Sequence, residues 1–173
     1  CQRGNISLYR KTKTKMEKQI MSNIESILRD SKTIAMIGVS SMKKGEDPKN
    51  LKRKPSNIVM KYMQDFGYKV IPINPFAKGE IIHGEKVIGD LKDIETKIDI
   101  VDVFRPSPET PEIAKQAVEI GAKTLWLQYG IQHEEAKKIA SDNKMNYFEN
   151  LCIKQEYQKI FEKMNPVFPV LKK

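Results

Sequence analysis

The residues best able to do chemistry lie where an apolar run breaks. Gly38-Val39-Ser40 follows the run Thr33–Ile37, and Pro55-Ser56-Asn57 opens an amphipathic segment that stops at Gly67. A strand that ends at a glycine and feeds a helix N-terminus turns backbone N–H groups toward an anion, so these two motifs predict a phosphate seat. A second run, Tyr68–Ile73, ends in Asn74-Pro75. Further on, Phe104-Arg105-Pro106 and Gln128-Tyr129-Gly130 close two more apolar runs with polar or turn-forming residues. An arginine at a strand end is poorly placed for a core and well placed for an anion; the competing reading of Arg105 is a salt bridge to a nearby acid.

Covalent chemistry is less legible. It requires a nucleophile beside a base, or a matched acid and base. The chain has two cysteines, Cys1 and Cys152, and two histidines, His83 and His133. No histidine neighbours Cys152, which reads as a small buried hydrophobe, with a reactive thiol at a strand end as the alternative. His133, beside Glu134-Glu135, reads as a surface residue at a helix start, and His83 as part of a turn. Asp99 and Asp102 alternate with apolar residues and read as sheet-end or supporting groups, and Trp126 reads as core. The cysteines form no metal-ligand spacing or disulfide framework, and a reducing cytoplasm is the expected compartment. The expectation is a binding protein rather than an enzyme.

These residues need elements to position them. A chain of 173 residues is sufficient for one ordinary domain. Strands are expected at Thr33–Ile37, Tyr68–Ile73, Ile98–Phe104, Thr124–Tyr129 and Met145–Glu149, with a small glycine-turned hairpin within Glu80–Val87. Helices are expected from Pro55, through Ile113–Ile120 with Gly121 as its stop, over Gln132–Asn143 and over Lys154–Lys163. Short strands alternating with ten-residue helices predict an α/β fold: a Rossmann-like, doubly wound, mainly parallel five-stranded sheet with helices on both faces, in one domain. Residues 1–21 read as a basic tail, with a short helix over Asn23–Arg29 capped by Ser22. The domain is expected over 22–163 and a C-terminal tail over 164–173. Met16 or Met21 is the expected natural start. No run of 18 apolar residues exists, so no membrane span is expected.

Charge sharpens the ligand. The net charge is +9, of which residues 1–32 carry +5 and residues 43–54 carry +4, leaving the remainder neutral. The second group (Lys43, Lys44, Lys49, Lys52, Arg53, Lys54) lies between Ser40 and the helix start, and basic charge beside a phosphate seat suits an anionic ligand. A solvated surface insertion is the plainer alternative. An NAD site would carry G-x-G-x-x-G and an acid about 20 residues further on. This chain has Gly38 alone and ends the second strand in Asn74-Pro75, and it has no Walker loop. A nucleotide diphosphate bearing an extra phosphate remains, with NADP a fairer candidate than NAD. Nucleic acid is disfavoured, because the basic excess is not interleaved with aromatics on the body.

Gly38-Val39-Ser40, Pro55-Ser56-Asn57, Gly67-Tyr68-x-Val70-x-Pro72-x-Asn74-Pro75, Asp102-Val103-Phe104-Arg105, Trp126-Leu127-Gln128 and Cys152 together resemble the small stand-alone CoA-binding-domain proteins. Those are similar in turn to the CoA-binding domain of the succinyl-CoA synthetase alpha subunit. The resemblance spans about Ser31 to Tyr157. It departs in the Lys-rich segment between Ser40 and Ser56, which is longer than the family pattern. It implies coenzyme A or acyl-CoA at the strand ends, with the catalytic histidine of those synthetases absent from this chain. The expected site is Gly38, Val39, Ser40, Ser56 and Asn57 at the pyrophosphate. Lys78 or the 43–54 cations are expected at the 3′-phosphate, and Asn74, Pro75, Phe104 and Arg105 about the adenosine, with Gln128 nearby. The expected role is non-catalytic, sensing or regulatory. An NADP-dependent oxidoreductase-like protein, or part of a CoA-transferring enzyme, stays as the alternative, and a protein partner or a second copy is left open.

Overall fold

The computed structural model describes residues 3–42 and 54–162. The chain divides into two compact units, one of residues 31–155 and one of residues 1–30 with 156–173.

The larger unit is built on β1 (Thr33–Ile37), β2 (Lys69–Ile73), β5 (Ile100–Val103), β6 (Thr124–Leu127) and β7 (Asn146–Phe148). They form one sheet in the order β2-β1-β5-β6-β7, every neighbouring pair parallel. The parallel neighbours that follow each other in the chain need a crossover, supplied from β1 to β2 by α2 (Pro55–Asp65), from β5 to β6 by α3 (Thr110–Glu119) and from β6 to β7 by α4 (Glu134–Asp142). The chain winds outward from β1 in one direction to β2 and then in the other to β5, so the order switches between β1 and β5. β3 (Ile81–Ile82) and β4 (Glu85–Lys86) form the expected hairpin, turning at His83-Gly84. This is the expected Rossmann-like α/β sheet, and the strand bounds lie within one or two residues of those read from the sequence.

Side chains alternate across each strand. On one face Ala35, Ile37, Ile71, Ile73, Val101 and Val103 join Ile113, Ala114 and Ala117 of α3 and Ala136 and Ala140 of α4 in one apolar cluster. Small alanines let those helices lie close on the sheet. The opposite face carries Met36, Asp102 and Trp126 in register, and α2 buries Val59, Met60 and Met63. Pro72 is tolerated because β2 is an edge strand. The edge is capped by Ile88, whose N–H donates to Pro72 O at 3.0 Å and whose carbonyl accepts from Asn74 N at 2.9 Å.

The smaller unit holds α1 (Arg3–Asp30). The sequence reads residues 1–21 as a tail and Ser22 as a cap; the structure instead runs helix through both. Lys, Glu, Gln and Met are strong helix formers, and Ile24 and Leu28, one turn apart, are buried. Ser22 is interior to the helix, and its carbonyl accepts from Ser26 Oγ at 3.1 Å. The last helix falls where expected and changes its winding midway. α5 (Ile153–Tyr157) gives way to wider helical turns over Gln158–Glu162. The expected C-terminal tail, Lys163, and all of the basic segment 43–54 except Lys54 lie outside the described residues.

Candidate functional site

β1 leaves the sheet at Gly38, where φ is +89°. A Cβ there would sit 2.6 Å from the Phe104 carbonyl oxygen and 2.9 Å from Arg105 Cδ. Glycine is therefore required both by its backbone and by the close approach of the β5 exit. The Gly38 N–H donates to Ile73 O at 2.8 Å, tying the turn to β2 as well.

Three side chains from elsewhere then hold the loop. Ser56 Oγ accepts from Ser40 N at 3.1 Å, Asn57 Nδ2 donates to Ser40 O at 2.9 Å, and Asn74 Nδ2 donates to Val39 O at 2.9 Å. Ser56 and Asn57 are buried, as is Val39. Ser40's amide is thus occupied by the helix that follows it. The N-terminus of α2 has no side-chain cap; its flanking residue is Lys54, whose ammonium donates to Ser41 O. The first-turn N–H groups of a helix lack partners within the helix, and its dipole favours an anion by about 0.3–1 kcal/mol. Beyond the loop, Glu80 accepts from Ser41 Oγ and from Met42 N, both at 2.7 Å.

A cleft of about 200 Å³ opens at the switch point, walled by Gly38, Asn74, Pro75, Phe76, Asp90 and Arg105 over an apolar floor. Asn74 Oδ1 accepts from Phe76 N at 2.9 Å, which turns the chain and leaves the Phe76 ring 92% exposed at the rim. The Lys78 stem lies along Gly89, another wall residue. Arg105 donates through Nε and one Nη to the two oxygens of Glu109, both at 2.7 Å. This bidentate pair raises the arginine above its ordinary pKa and lowers the glutamate. The salt-bridge alternative for Arg105 is what the structure holds, and it holds it on the wall of the cleft.

Asp102 is fully buried in β5. Gln128 Nε2 donates to Asp102 Oδ1, while Oδ2 has no partner among the described residues. Burial pushes this carboxyl up to about 7, against the smaller opposing effect of the Gln128 hydrogen bond. Gln128 is thus turned into the sheet rather than toward the cleft. Trp126 is core, as the sequence implies, with Nε1 donating to Leu151 O at 2.8 Å. His133 caps α4 through Nδ1, which accepts from Glu135 N at 3.1 Å. Cys152 is half-buried and does not line the cleft.

Of the residues read from the sequence, the cleft collects Gly38, Asn74, Pro75 and Arg105, with Lys78 beside its wall. Val39, Ser40, Ser56 and Asn57 form the bonded loop behind it. Phe104 meets Gly38 through its carbonyl. Sequence reasoning misses Phe76, Asp90 and Glu109 as wall residues. Phe76 follows a strand-end proline, and that position is a signal for it. Asp90 and Glu109 reach the cleft only because the Ile88 bridge and α3 are placed there.

A family model described as CoA binding domain matches residues 32–158. The uncharacterized protein YneT of Bacillus subtilis (strain 168) is 35% identical over 139 residues, covering 80% of this chain and 95% of that one. The solved structure of cell-free ID.343 from Thermus thermophilus superposes with a TM-score of 0.73 at 30% identity, covering 82% of this chain and 98% of that chain. A hypothetical protein from Pyrococcus horikoshii OT3 gives 0.70 at 34% identity, covering 81% and 91%. The fold, the glycine exit of β1 and these likenesses agree, and the chain belongs to the CoA-binding-domain family.

Proposed function

We propose that this protein binds coenzyme A or acyl-CoA at the switch-point cleft and does not transform it. The observation that carries this reading is the preformed exit of β1: a glycine that admits no Cβ, a loop held by Ser56, Asn57 and Asn74, and an uncapped helix start beside it. In this reading the pyrophosphate lies against Gly38-Val39-Ser40 and the first-turn amides of Ser56 and Asn57. Asn74, Pro75, Phe76, Phe104 and Arg105 flank the adenosine, Lys78 meets the 3′-phosphate, and Gln128 acts indirectly by holding Asp102. A cleft of about 200 Å³ is smaller than the usual 300–1,000 Å³ of small-molecule sites, so it takes part of the ligand and the arm runs outside it. Coenzyme A supplies the thiol that carries an acyl group.

Among the described residues, the cleft walls offer no nucleophile beside a base, and the Glu109 carboxylate and Arg105 cation are bonded to each other. That supports binding over turnover. A protein that holds an acyl carrier unchanged acts by altering its own contacts when loaded, which is the content of a sensing or regulatory role. Thermal unfolding with increasing CoA, acetyl-CoA, NADPH and ATP tests it. The midpoint should rise with CoA concentration as mass action requires and respond far less to NADPH. No rise at millimolar CoA, or consumption of acetyl-CoA during incubation, would refute the reading.

A further inference from the structure

β2 ends in Asn74-Pro75 and carries no acid, yet the fold brings one to the same place from another segment. Ile88 forms a parallel bridge with Ile73 on the outer side of this edge strand. Its two backbone bonds, to Pro72 O and from Asn74 N, fix the segment in register with the end of β2. Two residues further on, Asp90 arrives at the carboxyl edge of the sheet, on the cleft wall that also holds Asn74 and Pro75.

Asp90 is held in place and only partly used. Its Oδ1 accepts from Lys92 N at 3.0 Å and caps the short helical turn Leu91–Asp93. An ionised carboxylate has about four acceptor sites, so this bond orients the group and leaves most of its capacity. The residue is half-buried and makes no ion pair among the described residues. Glu109, the other carboxylate of the wall, has both oxygens on Arg105. Among the described residues, Asp90 is therefore the wall carboxylate left to accept from a ligand. The residue before it is Gly89, where a Cβ would sit 3.0 Å from Lys78 Cδ. The stem of a long cationic side chain thus lies against the segment that carries the fixed acceptor.

We propose that Asp90 is a specificity-determining residue of the cleft: it accepts the ribose 2′-hydroxyl and selects adenosine phosphorylated at the 3′ position over adenosine phosphorylated at the 2′ position. The proposal rests on the reading of the cleft as a CoA site. In coenzyme A the 3′ oxygen carries the phosphate and the 2′ oxygen keeps its proton, so one edge of the ribose offers an anion beside a donor. An acid near the end of the second strand of such a sheet takes a ribose hydroxyl. Lys78 takes the phosphate through charge-assisted bonds. A phosphate moved to the 2′ position, as in NADP, faces the Asp90 carboxylate, and like charges in contact repel. A ribose with both hydroxyls free suits Asp90 but leaves Lys78 without its anion.

Calorimetric titration of the full chain with CoA, adenosine 3′,5′-bisphosphate, its 2′,5′ isomer and the 2′-deoxy form of the 3′,5′ compound tests this. The 3′,5′ compound should bind about tenfold tighter than either of the other two bisphosphates. Asp90→Asn keeps the turn, because asparagine is also a cap and its Oδ1 accepts from Lys92 N. Its remaining group is a donor. The variant should therefore weaken the 3′,5′ compound severalfold, tighten the 2′,5′ isomer and remove the penalty for the missing hydroxyl. A role in folding alone would weaken all three equally. If CoA binds, then equal affinity for the two isomers, no loss with the 2′-deoxy compound, or a preference unchanged by Asp90→Asn would each overturn the assignment of Asp90 and leave the cleft standing. Failure of CoA to bind would overturn the reading of the cleft and this proposal with it.

Discussion

The two strand exits that meet at the switch point are secured in opposite ways. The β1 exit is held by buried side chains distant in sequence: Ser56 and Asn57 from α2, and Asn74 from the end of β2. The β5 exit is held by a local pair four residues apart, Arg105 with Glu109, whose side chains are 39% and 47% exposed. Water can replace a bond of the second kind at little cost and cannot replace one of the first. A rigid seat, assembled by folding, thus adjoins an adjustable rim. Arg105 can release Glu109 when a stronger anion arrives, while Ser40 has no such freedom.

The largest way to break the rigid half is Gly38→Ala. Positive φ and a collision with the Phe104 carbonyl act together, at about 3 kcal/mol or more. The thermal midpoint should fall by about 10 °C and CoA binding should be lost with it. Next is the buried carboxyl of β5. The folded pKa of Asp102, about 7, lies above its unfolded value, so the folded state binds the extra proton. The stability this proton contributes is fully present below about pH 4. It is lost as pH rises toward and through 7, by about 1.4 kcal/mol for each pH step across that window. Urea titrations at pH 5 and pH 8 should show that fall, and Asp102→Asn should flatten it.

Smaller effects test the loop itself. Ser56→Ala leaves the Ser40 N–H without its acceptor and should cost about 1–3 kcal/mol in urea unfolding. CoA affinity should drop further than stability alone explains, because Ser40 then moves. At the adjustable rim, Glu109→Gln should change stability by less than about 1 kcal/mol. It should nonetheless tighten CoA severalfold, with a stronger dependence on salt, since Arg105 loses its competing carboxylate. Equal responses to Ser56→Ala and Glu109→Gln would erase the distinction between the two exits.

Much of the fold is legible because apolar runs of four to six residues alternate with amphipathic segments, a pattern that leaves few alternatives to a parallel sheet. The α1 region is less so: Arg3–Asp30 is polar along most of its length, and with few apolar residues besides the buried Ile24 and Leu28 its periodicity is weak where helix propensity is strong. At the site, Gly38, Asn74 and Arg105 can be read because strand ends are marked by their residue types. The roles of Ser56 and Asn57 cannot. Both read as phosphate ligands through a helix start, and nothing in their spacing shows that Ser56 Oγ and Asn57 Nδ2 also hold Ser40. Gln128 reads as part of the site for the same reason and serves Asp102 instead.

By itself the sequence determined the sheet, its winding and the place where an anion is favoured. These follow from local periodicity, from glycine's conformational range and from the helix dipole, none of which needs a distant partner. Only the tertiary structure decided which polar atoms are already bonded. Arg105 is paired and Ser40 is tied, while Asn57 Oδ1 and Asp102 Oδ2 have no partner among the described residues. A hydrogen bond between residues 16 or 35 positions apart depends on where the folded backbone carries them, and one-dimensional spacing does not encode that distance.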